Sequence, residues 1–596
     1  MNTRLILFLS LATAAFTLPI TAQQPADPDP EAMPWGIATS ASSTRTVADW
    51  FPTLSDADVV WVRAFAEWGT LEPVQGTLNF APTDALLDVA QANHLQLSGL
   101  IFGSPKWAAP SSHPFAMDHL DAWGNYANAL ATHYKDHIRY WEVWNEGNSG
   151  FNDGHNTAAD YARLVSAAYQ GAKKADPNAQ IGLSVASFDA PYIGQVVLAQ
   201  ATNGKPEQFD YICLHPYETL GGLSHPDGEI LYLWMTKILR DELKATDPER
   251  VNIPVWITEI SRHIDDKSGA AIRAGEGSPE EEAARALVKA YIMALAQGIS
   301  RICWFEAKDP VGEEAGFGLI RRDDTPRPSY IAMKMMIGAL GETPKYLGWL
   351  ALDKEQRSYG FLFQGRSGPV LVPWMPAGES DRSITFSSDV KIVDPLTGNS
   401  TSLLAGQPLS LGSAPVFISG VPSDLVAQAH AHASKPFPWG GNYSTTSTVS
   451  LEFGTTPKAN GIFHLISKAL PIHAFDDGSS GMIVEGDYTH SVVFYTHPSF
   501  ANVMTREYYV RLTYRRITSG NVGWNFHYEV ADSHAKGPMG SNGGWYSAGP
   551  DMGWQTHTWH VTDASFSKMW GYDFSFNPEK SVPFVIGKVE VSTRPF

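Results

Sequence analysis

The feature that most constrains the fold is a regular alternation of short apolar runs with helical segments between residues 35 and about 335. Continuous apolar runs, unlike strictly alternating ones, are what a parallel sheet covered on both faces requires. The eight candidate strands are WGIATS (35–40), VVWVRAF (59–65), LQLSGLIFG (95–103), IRYWEVWN (138–145), QIGLSVASF (180–188), FDYICLHPY (209–217), VWITEIS (255–261) and ISRICWFEAKD (299–309).

The segments between these runs carry helical signals. Ser278, Pro279 and Glu281 form an N-cap, first-turn proline and capping-box pattern before the eighth run. Gly298 is the matching stop signal. After the third run, apolar residues recur at helical spacing, namely Leu120, Trp123, Ala127, Leu130 and Tyr134.

Eight strand–helix units over this length fit a (β/α)8 TIM barrel. The alternative is an open doubly wound sheet, for which we expect a glycine-rich phosphate loop after the first strand. The sequence after WGIATS has no such loop. We therefore predict an α/β fold with a (β/α)8 barrel over residues 33–340.

Two β-rich domains are predicted after the barrel, because helical periodicity ends near residue 340. Short strands and turns, as in GFLFQGRSGPVLVPWMP, predict a small β-sandwich over residues 341–423 that packs on the barrel. Residues 424–439 are polar and predict a linker. Alternating patterns such as YYVRLTYRRI and IGKVEVS predict a C-terminal β-sandwich over residues 440–596.

The N-terminus has the pattern of a secretory signal peptide over residues 1–22. Arg4 provides a basic start, an apolar stretch follows, and Ala22 is a small residue before cleavage. A membrane anchor is the alternative, but this alanine-rich run is marginal for spanning a bilayer. We expect a secreted or periplasmic protein with no integral membrane span after cleavage.

The charge balance narrows the class of partner. There are 43 basic and 62 acidic residues, for a net charge of −19. This excess of negative charge argues against nucleic acid or an anionic membrane as the main partner.

The two cysteines, Cys213 and Cys303, lie in apolar runs and are expected to be buried free thiols. They form no zinc-binding cluster.

Polar residues at the predicted strand ends indicate where a site would form, since active sites of such barrels lie at the C-terminal ends of the strands. Glu146 ends the fourth strand and Glu259 the seventh, so both carboxylates are expected to point into one bowl. The full set at these ends is Arg63, Asn145, Glu146, His215, Tyr217, Glu259 and Glu306.

Paired carboxylates are what glycosidic cleavage needs. One must be protonated to donate to the leaving oxygen, while the other stays ionised and attacks the anomeric carbon. Apolar neighbours such as Trp144 would raise the pKa of one group, and Arg63 or Tyr217 would lower that of the other. The residues therefore predict glycoside hydrolysis.

WNE at residues 144–146 and TE at 258–259 resemble the signature of clan A of the retaining glycoside hydrolases. Within this clan, the segments WVRAFAEWGTLEPVQG, WEVWNEGN, WITEIS and GLIRRDDTPRPSY are most similar to glycoside hydrolase family 39. The resemblance covers roughly residues 35–420. It implies that Glu146 is the general acid/base and Glu259 the nucleophile, oriented and kept ionised by Tyr217 and Arg63.

The resemblance also implies sugar-binding residues: Asn145 at the 2-hydroxyl, with His215 and Trp304 lining the subsite. Aromatic residues near the strand ends either stack on sugar rings or fill the core, and they are Trp68, Trp107 and Trp144. The chain departs from family 39 at Gly147, where proline is usual, and at Ile260, where an aromatic is common. We expect the glycine to relax the loop.

Two further glutamates have competing interpretations. Glu142 shares a strand face with Glu146 by period-two alternation, and pairing with Arg63 inside the barrel is the favoured role. Glu306, near Trp304, either contacts the substrate or forms a structural salt bridge.

The C-terminal sandwich has two kinds of aromatic segment. In WNFHYEV the aromatics Trp524, Phe526 and Tyr528 share one face and are expected in the core. GGWYSAGPDMGW places aromatics among glycines, which is typical of loops and favours carbohydrate binding. A purely structural sandwich remains the alternative.

We therefore expect a secreted retaining glycoside hydrolase acting on a polysaccharide or oligosaccharide, with no organic cofactor and no metal ion. A non-catalytic carbohydrate-binding protein on a barrel scaffold is the second hypothesis. A metal-dependent barrel hydrolase is a third, but the chain has neither HxH in its first strand nor HExxH.

Overall fold

The computed structural model describes residues 30–40, 47–153, 156–204, 208–264, 278–310, 316–464, 471–485, 492–501, 506–531, 541–578 and 581–596. The predicted signal peptide, residues 1–22, lies outside these ranges. Within them, no helix has both the length and the apolar character required to cross a membrane.

Eight parallel strands close into a barrel, which confirms the predicted fold class. Each strand pairs with the next one along the chain, and the eighth pairs with the first through Trp35 and Ile302. The strands are β1 (Trp35–Ala38), β2 (Trp61–Glu67), β3 (Gln96–Phe102), β4 (Tyr140–Val143), β5 (Gln180–Ala186), β6 (Tyr211–His215), β7 (Val255–Ile260) and β8 (Arg301–Phe305).

Helices surround the barrel. As predicted, Ser278 caps the helix before β8: its Oγ accepts a bond from the Glu281 backbone N–H at 3.3 Å, and the Glu281 carboxylate accepts one from the Ser278 N–H at 2.9 Å. The helices are α1 (Val47–Asp56), α2 (Trp68–Leu71), α3 (Ala81–Ala92), α4 (Leu120–His133), α5 (Ala158–Ala175), α6 (Ala190–Thr202), α7 (Tyr217–Gly222), α8 (Gly228–Thr246), α9 (Pro279–Ala296) and α10 (Pro328–Leu340).

Aromatic and cationic side chains fill the N-terminal end of the barrel. The guanidinium of Arg301, at the start of β8, lies 3.5 Å from the ring centroid of Trp61 and 3.9 Å from that of Trp256. Cys213 and Cys303 are buried free thiols. Because this end is packed, a substrate can reach the strands only from their C-terminal ends.

A smaller antiparallel domain follows, with a six-stranded sheet in the order β14-β13-β16-β11-β10-β9 and a two-stranded sheet, β12-β15. Its strands are β9 (Lys345–Trp349), β10 (Tyr359–Gly365), β11 (Gly368–Trp374), β12 (Arg382–Thr385), β13 (Val390–Val393), β14 (Ser400–Leu403), β15 (Pro408–Leu411) and β16 (Phe417–Ser419).

Helix α11 (Ser423–His432) occupies most of the predicted linker, residues 424–439. Leu425, Val426 and Ala429 pack on the core of the small domain, which gives this polar stretch an apolar face. Gly348 of β9 lies so close that a β-carbon there would be 1.8 Å from the Ala429 carbonyl oxygen.

The C-terminal domain packs a seven-stranded sheet against a five-stranded one. The predicted core stripe is confirmed, since Trp524, Phe526 and Tyr528 belong to its buried cluster. The strands are β17 (Thr448–Glu452), β18 (Lys458–Asn460), β19 (Ile462–His464), β20 (Ile472–Ala474), β21 (Ser480–Val484), β22 (Val492–Thr496), β23 (Arg506–Arg516), β24 (Gly523–Tyr528), β25 (Ser541–Ser547), β26 (Trp554–Ala564), β27 (Phe574–Asn577) and β28 (Phe584–Ser592).

This C-terminal sandwich shares buried contacts with the barrel. Tyr495 and Phe463 belong to the same apolar cluster as the barrel core. The Tyr495 hydroxyl donates to the Asp227 carbonyl oxygen at 2.7 Å, and the rings of His497 and Trp234 meet edge to face at 4.9 Å. The sandwich is therefore fixed against the barrel wall near the start of α8.

We predict that Gly171→Ala destabilises the barrel by about 2–3 kcal/mol, because its β-carbon would lie 2.0 Å from the Gly124 carbonyl oxygen and force α4 and α5 apart. The matched control is Gly338→Ala at an exposed position of α10, where a β-carbon meets nothing within 4 Å. It should instead stabilise by about 0.5–1 kcal/mol through helix propensity. Thermal unfolding of both variants provides the test, and equal effects would contradict this account of helix packing.

Candidate active site

The chain turns sharply where β4 ends. Trp144 and Glu146 adopt left-handed backbone conformations, with φ of 65° and 51°. Consecutive residues of a regular strand would point to opposite faces. The turn instead lets Asn145 bond to Arg63 while Glu146 bonds to His215, so both side chains enter the same bowl.

The two predicted catalytic carboxylates lie close together. One carboxylate oxygen each of Glu146 and Glu259, together with one ring nitrogen of His215, all lie within 4.8 Å of one another. Retaining glycosidases hold their two carboxyl groups about 5–5.5 Å apart, whereas inverting enzymes leave about 6.5–9.5 Å for a water molecule. The spacing here corresponds to the retaining arrangement.

Two donors fix the orientation of Glu259. The Arg63 Nη1 donates to one carboxylate oxygen at 2.5 Å, and the Tyr217 hydroxyl donates to the other at 3.0 Å. Arg63 is fully buried, and its Nε and Nη2 also donate to Glu142 at 2.6 and 2.8 Å. The predicted Glu142–Arg63 pair is therefore confirmed. Burial alone would raise the pKa of Glu142, but the charge of Arg63 and a hydrogen bond from His215 lower it to about 2.

Glu146 is paired with a buried imidazole. His215 Nδ1 lies 2.9 Å from Glu146 Oε1, and its Nε2 lies 3.0 Å from the Thr258 hydroxyl. Burial opposes a charge on His215, but the Glu259 charge and hydrogen bonds to Glu142 and Glu146 raise its pKa to about 9. Burial likewise raises the pKa of Glu146, and the bond from His215 outweighs it and lowers that pKa. At neutral pH the pair thus shares one proton, held on the imidazole.

The same three side chains, Glu146, His215 and Glu259, have the geometry of a cation site, and they are the one such group within the described ranges. A histidine must be neutral to bind a metal ion. Because the pKa of His215 is raised to about 9, binding a cation here at neutral pH would require the imidazole to lose its proton.

The sugar-subsite role predicted for Trp304 is wrong. Trp304 is 1% exposed and belongs to the barrel core, because strand alternation turns it toward the helices. The next residue, Phe305, is partly exposed and faces the site, with its ring 6.5 Å from Tyr217 and 5.5 Å from Phe317. The alternation in RICWF carried this signal, since Cys303 and Phe305 share a face.

The other predicted aromatics divide into two groups. Trp68 and Trp144 are completely buried and fill the core. Trp107 is partly exposed; its indole N–H donates to the Glu72 carbonyl oxygen at 2.9 Å, which fixes the ring at the rim after β3. Trp107 therefore remains a candidate for stacking on a sugar ring.

Glu306 is buried, and its carboxylate accepts a bond from the Ser40 N–H at 3.3 Å.

The sequence did not indicate the bonding roles of Ser149 and Thr258, although Thr258 belongs to the TE motif. The Ser149 hydroxyl donates to Glu146 Oε2 at 3.0 Å, and the Thr258 hydroxyl donates to Glu142 Oε1 at 3.2 Å. Their contacts with Glu146 and Glu142 could not be read from the sequence, because only the folded chain brings the two hydroxyls to these carboxylates.

Gly147 does not relax its loop, contrary to expectation. Its carbonyl oxygen accepts bonds from Asn152 Nδ2 at 3.0 Å and the Tyr192 hydroxyl at 3.2 Å. A β-carbon at Gly147 would lie 2.9 Å from the ring of Tyr161, whose hydroxyl bonds to the end of β4. The glycine thus allows close packing that positions the following turn.

We predict that Gly147→Ala lowers the free energy of unfolding by about 1–3 kcal/mol and reduces activity, because the rigid Tyr161 ring cannot yield. Gly150→Ala, three residues later in exposed space, is the matched control and should change stability by less than about 0.5 kcal/mol. Thermal unfolding measures both. A Gly147→Ala variant as stable and active as the control would show that the Tyr161 contact does not position Glu146.

Comparison of the sequence with known families identifies the barrel's relatives. The sequence model of glycosyl hydrolase family 10 matches residues 36–184. Endo-1,4-beta-xylanase 3 of Hypocrea jecorina is 31% identical over 140 residues, which are 22% of this chain and 39% of that enzyme. Endo-1,4-beta-xylanase C of Phanerodontia chrysosporium is 31% identical over 125 residues, 19% and 30% of the two chains. This chain thus spans well under half the length of the curated relatives it matches.

The fold is similar to that of a family 39 glycoside hydrolase from Bacteroides cellulosilyticus WH2, with a TM-score of 0.53 at 17% identity. The match covers 65% of this chain and 81% of that structure. Families 10 and 39 both lie in clan A. The family 10 match therefore confirms the predicted resemblance to clan A, and the likeness to family 39 is one of fold.

Proposed function

We propose that this protein is a secreted retaining glycoside hydrolase that cleaves a polysaccharide or oligosaccharide by double displacement. The observation that carries the proposal is the approach of Glu146 and Glu259 within 4.8 Å, with different partners on each carboxylate. The likeness to endo-1,4-beta-xylanases makes β-1,4-xylan and its oligosaccharides the first substrates to test.

In the first step, Glu259 attacks the anomeric carbon and forms a glycosyl ester as the bond to the leaving oxygen breaks. Arg63 and Tyr217 hold the attacking carboxylate in place through their bonds to its two oxygens. The leaving oxygen takes its proton from Glu146. A substrate that displaces water from Glu146 raises the pKa of that carboxyl, which draws the shared proton from His215 across 2.9 Å.

In the second step, Glu146 acts as the base. It removes a proton from a water molecule, which attacks the anomeric carbon and releases Glu259. Two inversions at one carbon give net retention of configuration. The returning proton is again shared with His215, so the pair is reset for the next substrate.

Asn145 is positioned for a sugar hydroxyl. Its side-chain oxygen accepts a bond from Arg63 Nη2 at 2.8 Å, which fixes the amide orientation. The amide N–H groups are then directed away from Arg63, where they can donate to the 2-hydroxyl beside Glu259. Such a bond contributes most when charge develops on the ring in the transition state.

We also propose secretion or periplasmic export. Support comes from Arg4, the apolar stretch after it and Ala22, which together have the pattern of a cleaved signal peptide. Mass spectrometry of the mature N-terminus from the extracellular or periplasmic fraction tests this proposal.

We predict that Glu259→Gln lowers kcat at least about 10⁴-fold while substrate binding persists, because the amide keeps the shape but is not a nucleophile. Product chromatography on a panel of polysaccharides, with xylan first, identifies a substrate, and proton NMR of the first product anomer reports retention. Glu355→Gln, on the exposed surface, is the matched control and should behave as wild type. A wild-type protein that binds glycans but releases no product would be a carbohydrate-binding protein instead.

We predict that kcat/KM falls as pH rises through about 9, because the raised pKa of His215 keeps the proton in the Glu146–His215 pair until then. The apparent value belongs to the pair. The measurement is the pH dependence of kcat/KM, with the fold checked by circular dichroism at each pH. An alkaline limb near 6.5, where an ordinary histidine titrates, would contradict the proton-sharing arrangement.

A further inference from the structure

A loop of the C-terminal sandwich reaches the mouth of the barrel. This β26–β27 loop, residues 565–572, joins β26 to β27. The Ser187 hydroxyl, just after β5, donates a hydrogen bond to the Met569 carbonyl oxygen. Gly571 lies against Glu218 of α7, where an added β-carbon would be 3.4 Å from the Glu218 β-carbon. The loop thus contacts the rim at two neighbouring strand ends.

Both contact points adjoin the catalytic residues. Ser187 and His215 exchange two backbone hydrogen bonds of 3.1 Å, and the His215 ring holds Glu146. Glu218 directly follows Tyr217, which bonds to Glu259. Burial, with a smaller contribution from the charge of Glu146, raises the pKa of Glu218 to about 7, so its carboxyl lies within electrostatic range of the acid/base.

Buried ionisable side chains hold the β26–β27 loop in one conformation. The Glu529 carboxylate accepts bonds from the backbone N–H groups of Lys568 and Met569 at 2.7 and 2.9 Å. The Lys568 ammonium is fully buried and donates to Asp573 at 3.1 Å and to the Ala501 carbonyl oxygen at 2.8 Å. These bonds fix the backbone of the loop, which distinguishes it from a flexible linker between two domains.

Trp570 stands between the two contact points. Its neighbours Lys568 and Met569 are buried, whereas Trp570 is partly exposed at the rim. β5 and β6 lie between β4, which carries the proton donor Glu146, and β7. Trp107 follows β3, on the other side of β4 from β5 and β6. In the proposed mechanism Glu146 protonates the leaving oxygen, so the leaving group is expected beside the end of β4 and the two strands that follow it.

We propose that the β26–β27 loop completes the active site and that Trp570 offers an apolar ring face to a sugar unit on the leaving-group side. This inference rests on the proposed glycoside hydrolase activity. It makes the C-terminal sandwich a part of the cleft wall and a determinant of which leaving groups are accepted. Aromatic faces suit this role because one side of a pyranose ring presents only C–H groups.

The test compares two substrates with the same glycone, a glycosyl fluoride and an oligosaccharide. Fluoride is too small to reach the β26–β27 loop, whereas a sugar leaving group contacts it. For Trp570→Ala we expect about a tenfold loss of kcat/KM on the oligosaccharide, mainly through KM, and less than a twofold change on the fluoride. Trp570→Phe keeps a ring and should retain most oligosaccharide activity.

Tyr509→Ala is the matched control, since Tyr509 is a partly exposed aromatic of the same sandwich that stacks on His560. It should change neither substrate. Unchanged oligosaccharide kinetics in Trp570→Ala would overturn the inference, as would equal losses on both substrates. Whatever the result for Trp570→Ala, loss of turnover in Glu259→Gln supports the hydrolase proposal. If the wild-type protein turns over neither substrate nor any glycan on the panel, the hydrolase proposal itself has failed.

Discussion

The buried guanidinium of Arg63 is the interaction on which the site depends. It bonds to Glu142 and Asn145 near the end of β4 and to Glu259 on β7, while its own backbone belongs to β2. A buried cation without its partners costs about 3–5 kcal/mol, so each of these bonds is needed to keep the charge inside. The same buried side chain therefore links β2, β4 and β7 and positions Glu259, the proposed nucleophile.

The charge balance of the bowl follows from this arrangement. Glu142, Glu146 and Glu259 carry three negative charges when ionised, and Arg63 neutralises one of them. His215 bonds to Glu146 and lies 3.7 Å from Glu259, so its ring is the natural place for a proton. The excess of carboxylates keeps that proton in the site at neutral pH, where the proposed mechanism transfers it to the leaving oxygen. Fixed dipoles and charges of this kind lower a barrier without reorganising during the reaction.

The sequence predicted those parts that rest on local patterns. Continuous apolar runs gave the eight strands, the capping box at Ser278 gave the start of α9, and strand ends brought Glu146 and Glu259 together. Two predictions failed for different reasons. The choice of Trp304 over Phe305 overlooked the strand alternation in RICWF, which is visible in the sequence. The packing of Gly147 against the ring of Tyr161 depends on a contact between distant residues that the sequence does not show.

The contact between sandwich and barrel follows the same physical logic as Arg63. Lys568, Glu529 and Asp573 are buried, and each is satisfied by partners that also fix the loop backbone. Burying three ionisable groups stabilises little by itself, because desolvation offsets most of the attraction. What it provides is a single loop conformation, with Lys568 at a φ of 61°. The β26–β27 loop contacts Ser187, which is hydrogen-bonded to His215, and this contact supports the proposed role of the loop in the active site.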